Sequence, residues 1–308
     1  MKTNAPYPLS LRQLQYVRAV SETLSFRRAA ERCHVSQPAL SAQIAELESM
    51  LGVQAFERSR RGVLLTNEGR ALLLRASRVL AEADELVACA EGLKDPFAGP
   101  LRVGVIPTVA PYLLPHVAPA IRKHFKNATL SWVEDKTEPL LHALERGEVD
   151  AAVVALESPM HNVEHTVLAK DRFVVAMAKG HPLMAKKALT AAGLGDADVL
   201  LLDDGHCLRD QALAFCARTR TQELAFRATS LSTLCHMVAG GAGITLLPEL
   251  AASSEAAAAG LQLRAFSVGA PFRTLALVWR KGAARRTALS EVARVMRGAY
   301  PQTHAHSV

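Results

Sequence analysis

The sequence predicts an α/β protein in three successive parts: a small helical head, one long helix and a larger body. Three observations predict it. Two short helical patterns near the N-terminus are separated by a two-residue turn, apolar residues recur at steps of four and three from position 72 to 93, and beyond position 100 apolar runs of strand length alternate with helical stretches. At 308 residues, 50% of them hydrophobic and 21% charged, the chain carries apolar content for two cores, which excludes disorder and collagen-like repetition. No run reaches the ~18 to 20 uninterrupted apolar residues of a membrane span. Residues 1–6 lack the apolar centre of a signal peptide, so the expectation is a soluble, cytoplasmic protein with no membrane partner. Five cysteines (Cys33, Cys89, Cys207, Cys216, Cys235) are too few and too odd in number for a secreted disulfide framework; a thiol that matters is expected to be reactive rather than structural.

The head reads as three helices. Leu11, Leu14 and Val17 repeat at helical spacing. Ser25 can cap a second helix whose buried face is Ala29, Ala30 and Cys33, and Ser36 a third with Leu40, Ile44 and Leu47 inward. Only His34-Val35 separates the last two, which is a helix-turn-helix pattern. The third helix opens Ser36-Gln37-Pro38, and its outward Gln37, Ser41 and Gln43 are uncharged side chains able to read base edges. Arg27, Arg28 and Arg32 lie where phosphates are met. The turn between Phe56-Glu57-Arg58 and Val63-Leu64-Leu65 adds Arg60 and Arg61 to Arg58, suggesting a basic hairpin wing. Residues 1–70 hold ten basic side chains against six acidic ones, a net +4 of the chain's +7. A plain helical bundle with a polar wet side is the competing reading; charge, turn and wing together favour double-stranded DNA as a partner.

Thr66 can cap a long helix from Asn67 to about Leu93, with Leu72, Ala76, Val79, Ala83, Leu86, Ala90 and Leu93 forming a heptad seam. Such a seam wants a second helix, so a homodimer with two DNA half-sites is expected. Residues 95–100 read as a hinge by composition. Apolar runs at 101–106, 151–156, 174–178, 199–202 and 275–279 then alternate with helical stretches, as in an α/β domain with mostly parallel sheets. Thr108 and Thr137 follow strands at places where such sheets bind ligands, although a lone threonine there also reads as a helix cap.

Phe26-Arg27-Arg28-Ala29-Ala30, residues 35–41, Leu47-Glu48, Leu51-Gly52-Val53 and Leu65-Thr66-Asn67-Glu68-Gly69 resemble the LysR-type transcriptional regulators, and the likeness covers nearly the whole chain. It implies an α/β fold made of an N-terminal winged helix-turn-helix plus a long linker helix, then a two-lobed, periplasmic-binding-protein-like regulatory domain. The corresponding parts are residues 1–66, 67–94, a hinge at 95–100, and 101–308. Lobe I would hold 101–170 and 271–300, and lobe II 171–270. Residues 203–216, with 106–115 and 226–231, are similar to the hydrogen peroxide-sensing class of that family. The resemblance implies Cys207 as the peroxidatic and Cys216 as the resolving cysteine. It further implies Thr108, Thr137, His206 and Arg273 around the peroxide, with Arg209 and Asp210 in support. Pairing into a tetramer, contact with RNA polymerase and activation of antioxidant genes follow from the same likeness. Cys235-His236 departs from the pattern and reads as a helix-interior pair.

Cys207 follows Gly205 and opens a helix-like stretch, where the helix dipole with Arg209 and His206 favours a thiolate; Asp203, Asp204 and Asp210 oppose it. Nine residues of helix rise roughly 13 Å, whereas a disulfide needs Cα atoms within ~7 Å. If the segment is helical, joining Cys207 to Cys216 requires its unwinding. Two buried cysteines that merely fill a core fit the residues individually, with a small organic effector in the inter-lobe cleft as the stimulus. A metal site lacks the paired-ligand spacing of zinc centres, no cofactor loop is present, and a thiol peroxidase has no use for a basic head. The expectation is therefore a regulator, not an enzyme, without metal or cofactor.

Overall fold

The computed structural model describes residues 8–59, 62–92, 97, 99–126, 128–195, 197–216 and 221–301. Arg60, Arg61, Leu93, Asp95, Pro96 and Ala98 lie outside the described residues, as do the side chains of Arg58, Cys89 and Ala90. The chain forms two compact units: the first holds the chain up to Ala90 together with Glu145–Glu148, and the second holds Glu91–Leu144 and the chain from Val149 onward.

In the first unit, α1 (Leu11–Thr23) starts with a capping box: Ser10 Oγ accepts from Gln13 N, and Ser10 N donates to Gln13 Oε1 at 2.8 Å. Ser25 caps α2 (Phe26–Arg32) and Ser36 caps α3 (Gln37–Leu51), whose first turn tolerates Pro38 because no intrahelical bond is lost there. His34 turns the chain between α2 and α3 at φ +54°. Strands β1 (Phe56–Ser59) and β2 (Gly62–Leu65) pair antiparallel as the wing. Glu48 of α3 fixes the wing's entry, accepting from Ala55 N (2.7 Å) and Phe56 N (3.2 Å). The core joins Leu14, Val17, Val20, Ala29, Ala30, Leu40, Ile44 and Leu47, with Phe26 edge-on to Phe56. Leu11 departs from its expected inward place and is 46% exposed, because the first turn of α1 overhangs this small core.

Thr66 caps α4 (Asn67–Gly92), accepting from Gly69 N at 2.8 Å. Gly69 itself touches Ala55: a Cβ there would lie 2.1 Å from the Ala55 carbonyl oxygen. The apolar seam divides along the helix. Leu72, Ala76 and Leu80 pack into the head core, whereas Val79, Leu86 and Val87 stay exposed, Leu86 by 74%. Among the described residues no helix is long and apolar enough to cross a membrane.

The second unit runs β3 (Pro100–Val105), α5 (Ala110–His124), β4 (Thr129–Glu134), α6 (Thr137–Glu145), β5 (Ala151–Ala155), β6 (Val163–Met177), β7 (Asp198–Leu202), α7 (Cys207–Cys216), β8 (Gln222–Ala228), α8 (Leu231–Ala239), β9 (Ile244–Pro248), α9 (Glu249–Ala259), β10 (Gln262–Ala265), β11 (Phe272–Arg280) and α10 (Arg286–Gly298). Strand order is β4-β3-β5-β11-β6-β9-β7-β8, with β10 also on β6. Two apolar cores result. One gathers β3, β5 and β11 with α5 and α10; the other gathers β7, β9 and the end of β6 with α8 and α9.

The expectation of mostly parallel sheets needs correction. β3–β4, β3–β5, β7–β8 and β7–β9 are parallel, but β6–β11, β5–β11, β6–β9 and β6–β10 are antiparallel. The cause is the two-lobed path: the chain leaves the first lobe on β6 and returns on β11, so these strands run in opposite directions. The apolar run at 174–178 is only the end of β6 and the residue after it; the first ten residues of the strand include Glu164, His165, Thr166, Lys170, Asp171 and Arg172, and several of them are exposed.

Candidate functional site

The loop from β7 to α7 is pinned at several points. Gly205 adopts φ +83°, and Lys136 closes over it, donating from Nζ to the Asp204 carbonyl at 2.7 Å. The buried Arg209 donates to Leu202 O (3.2 Å) and pairs with Glu223 (2.8 Å) and Asp204 (2.9 Å), and Asp204 also holds Arg227 at 2.6 Å. Arg209 thereby ties the first turn of α7 to β7 and β8, and its guanidinium is committed to these partners. With the first turn fixed, α7 enters the second core through Leu208 and Ala212, with Phe215 and Cys216 packed against it. Cys207 instead turns into the first core. Cys207 and Cys216, neither of them in a disulfide, therefore stand at opposite ends of one ten-residue helix and in different cores. Nine helical steps keep their Cα atoms roughly 13 Å apart.

The cation that faces Cys207 is Arg273, wholly buried at the start of β11. Its register partner on β6 is Asp171, and the two form an ion pair at 2.9 to 3.0 Å where the chain crosses between lobes. Asp171 Oδ1 also accepts from Leu250 N, the start of α9, at 3.0 Å. Arg273 donates in addition to Thr108 Oγ1 (2.7 Å) and Thr108 O (3.1 Å).

Neither threonine serves as a helix cap. Val109 is the cap residue of α5, without a side-chain bond, and the Thr108 hydroxyl belongs to Arg273. Thr137 Oγ1 is buried, forms no well-aligned hydrogen bond among the described residues, and faces the Cys207 sulfur closely enough to favour its ionised form. His206 Nε2 is likewise buried and unpartnered among the described residues. Burial, then the charge of Lys136, lower the pKa of His206 against the opposing pull of Asp203, which favours the neutral ring.

The Cys207 thiol departs from the thiolate expected of a helix N-terminus. Burial pushes its pKa above the ordinary value; Arg273, Thr137 and the Leu208 N–H pull it back only in part, and the exposed Asp210 adds to the rise. Ionisation is disfavoured in the fold, so the same shift stabilises the protein below the unfolded thiol pKa and loses that effect at higher pH. Alkylation of Cys207 by iodoacetamide is expected to accelerate about tenfold per pH unit between pH 6 and 9 without levelling off near 7; a plateau below pH 7.5, read by mass spectrometry of the labelled peptide, contradicts this.

Cys216 is half-buried and its thiol is also pushed up by burial. Cys235 and His236 both lie inside α8, as expected; Cys235 is fully buried with its pKa raised to about 12, chiefly by burial, whereas His236 is exposed. The described residues hold no group of three or more His, Cys, Asp or Glu arranged for a metal ion.

Sequence reasoning missed Asp171 and Lys136. Asp171 stands between Lys170 and Arg172, a run that reads as a solvated face, and only the β6–β11 register brings it against Arg273. It missed as well the Tyr112 hydroxyl donating to Glu255 at 2.6 Å from α5 to α9.

On the head, Ser36, Gln37 and Pro38 are exposed, and Ser41 and Gln43 half-buried, along the start of α3. Gln43 donates to Glu46 (2.9 Å), Arg27 pairs with Glu31 (3.1 Å), Arg32 with Glu22 (2.6 Å), and Arg28 donates to Thr23 O. Exposed pairs of this kind are worth about 0–1 kcal/mol, so a phosphate displaces them readily.

Residues 11–70 match the family described as bacterial regulatory helix-turn-helix protein, lysR family, and residues 94–301 match the LysR substrate binding domain. The DNA-binding transcriptional dual regulator OxyR of Escherichia coli (strain K12) is 40% identical over 290 residues, 94% of this chain and 95% of that protein. Among solved structures, a full-length cysteine-to-aspartate variant of OxyR from Pseudomonas aeruginosa superposes with TM-score 0.79 at 36% identity, covering 98% of this chain and all of that one. An H2O2-bound cysteine-to-serine variant of OxyR from Corynebacterium glutamicum gives TM-score 0.64 at 35% identity over 96% of this chain and 94% of its own. Head, long helix, two-lobed body and these likenesses together show that the chain belongs to the LysR family of helix-turn-helix transcriptional regulators, in its OxyR class.

Proposed function

We propose that the protein is a DNA-binding regulator switched by hydrogen peroxide through Cys207 and Cys216. The observation that carries this reading is the placement of two cysteines, not joined in a disulfide, at the two ends of α7, one in each core, with Arg273 facing the first. The Cys207 thiolate attacks one peroxide oxygen; the O–O bond breaks, its electron pair leaves on the other oxygen, and a proton turns that hydroxide into water. Arg273 stabilises the charge on the leaving oxygen. His206 Nε2, buried and without a partner among the described residues, and Thr137 Oγ1, buried and facing the Cys207 sulfur, are the kind of groups a small ligand with donors and acceptors satisfies. The Cys207 sulfenic acid then condenses with the Cys216 thiol to a disulfide and a second water. Because the helix holds the sulfurs apart, condensation unwinds α7 and withdraws Cys216 from its packing.

In the same reading α3 enters the major groove with Gln37, Ser41 and Gln43 toward base edges, and Arg27, Arg28, Arg32 and the wing's Arg58, Arg60 and Arg61 meet phosphates. The exposed Val79, Leu86 and Val87 of α4 pair with a second copy, dimers join as tetramers, and the refolded bodies reset the spacing of the heads and the contact with RNA polymerase in the cytoplasm. The protein is oxidised once per signal and turns over no substrate. Stoichiometric H2O2 is expected to remove two thiols per chain in the wild type and to change promoter output. Cys207→Ser should abolish both effects, and Cys216→Ser should stop at the sulfenic acid. A Cys207→Ser variant that responds like the wild type refutes the reading.

A further inference from the structure

One face of α7 lines an open cavity of about 600 Å³ that reaches Cys207. Cys207, Gln211, Ala214 and Phe215 follow one another at helical steps along this wall, and Phe173 and Phe272 belong to the same lining. A water molecule occupies roughly 30 Å³ in the liquid, so a peroxide of two oxygen atoms fills a small part of this space, and the aromatic walls offer it nothing. Gln211 supplies an independent sign of a ligand. Its amide nitrogen and oxygen are both shielded from solvent and have no partner among the described residues, although the side chain lines the cavity. It lies one turn beyond Cys207, and helical side chains lean toward the N-terminus, which brings the amide toward the thiol end of the wall. A buried amide left unpaired is costly, so an oxygen-bearing occupant that it can bond is favoured there.

We infer that Cys207 also reduces neutral organic hydroperoxides, with the alkyl or aryl group lying among Phe173, Phe215 and Phe272 and the carbon-bearing oxygen meeting the Gln211 amide. The inference rests on the reading of Cys207 as the peroxidatic thiol and widens its substrate class. The thiolate attacks the terminal oxygen of R–O–O–H, and the O–O bond breaks with its electron pair passing to the carbon-bearing oxygen. The Gln211 N–H receives this alkoxide, which takes a proton from water and departs as the alcohol. Sulfur is oxidised by two electrons to the sulfenic acid, and condensation with Cys216 follows as before.

The test follows thiol loss in the reduced full-length protein with H2O2, tert-butyl hydroperoxide and cumene hydroperoxide in parallel. Cumene hydroperoxide is expected to oxidise Cys207 within about tenfold of the H2O2 rate. Ala214→Phe, which fills the cavity, is expected to lower the ratio of cumene hydroperoxide rate to H2O2 rate at least tenfold, the H2O2 rate reporting that the variant is folded. Oxidation by H2O2 with none by either organic hydroperoxide overturns this inference and leaves the hydrogen peroxide reading standing. Failure of all three oxidants overturns both. An unchanged ratio in Ala214→Phe overturns the assignment to this cavity.

Discussion

Arg273→Met is expected to destabilise the body by about 3–5 kcal/mol and to slow peroxide oxidation of Cys207 by about 10²–10³, and adding Asp171→Asn should restore most of the stability but none of the reactivity. The single change strands the Asp171 carboxylate in a place that water does not reach, and removing one member of a buried ion pair carries a penalty of about that size. Asparagine at 171 removes the orphan charge and keeps an oxygen for the Leu250 N–H, so α9 stays anchored. The Cys207 sulfur still lacks its facing cation. Losing one preorganised donor to a developing negative charge slows a reaction by about 10²–10³. Urea unfolding separates the two variants on the stability axis, and stopped-flow thiol oxidation on the other. A double variant that regains full reactivity makes Arg273 a strut between β6 and β11 and nothing more.

The second large effect concerns the energetic cost of the switch. Leu208 is buried in the second core, and joining Cys207 to Cys216 withdraws it with the rest of α7. Leu208→Ala thus weakens the dithiol form more than the disulfide form. A buried Leu→Ala change costs about 2–5 kcal/mol, and 30 mV corresponds to about 1.4 kcal/mol for a two-electron couple. The disulfide's reduction potential should fall by about 40–110 mV, making the protein oxidise more readily. Leu247→Ala is the control: this residue lies in the same core but on β9, which keeps its place in both forms, and the potential should shift by less than about 15 mV. Equal shifts in the two variants, measured against a glutathione series, mean that α7 does not leave the core on oxidation.

Some of these features are announced by neighbouring residues, and others exist only once folding brings distant residues together. Ser25, Ser36 and Thr66 mark helix starts because a side-chain oxygen must satisfy otherwise unbonded N–H groups, a local need that local sequence meets. The run at 151–156 is legible because both faces of β5 are covered, and that at 101–106 because β3 is buried at every position but Arg102 after its first residue. β10 and the early part of β6 are not legible in this way, because their polar positions face solvent and dilute the apolar signal. The ionisation of Cys207 was unreadable for a different reason. The helix start argues for a thiolate, but the burial that opposes it comes from a core whose other members lie far away in sequence. Arg209 illustrates the same limit, since adjacency to Cys207 suggested a donor and its fold-determined partners are Asp204, Glu223 and Leu202.

β6 belongs to both lobes, pairing with β11 through its first part and with β9 and β10 through its last. A ribbon shared in this way cannot be divided without exposing raw hydrogen-bonding edges on each half. The body should consequently melt as one cooperative block despite its two cores, and neither lobe should survive as a separately expressed fragment.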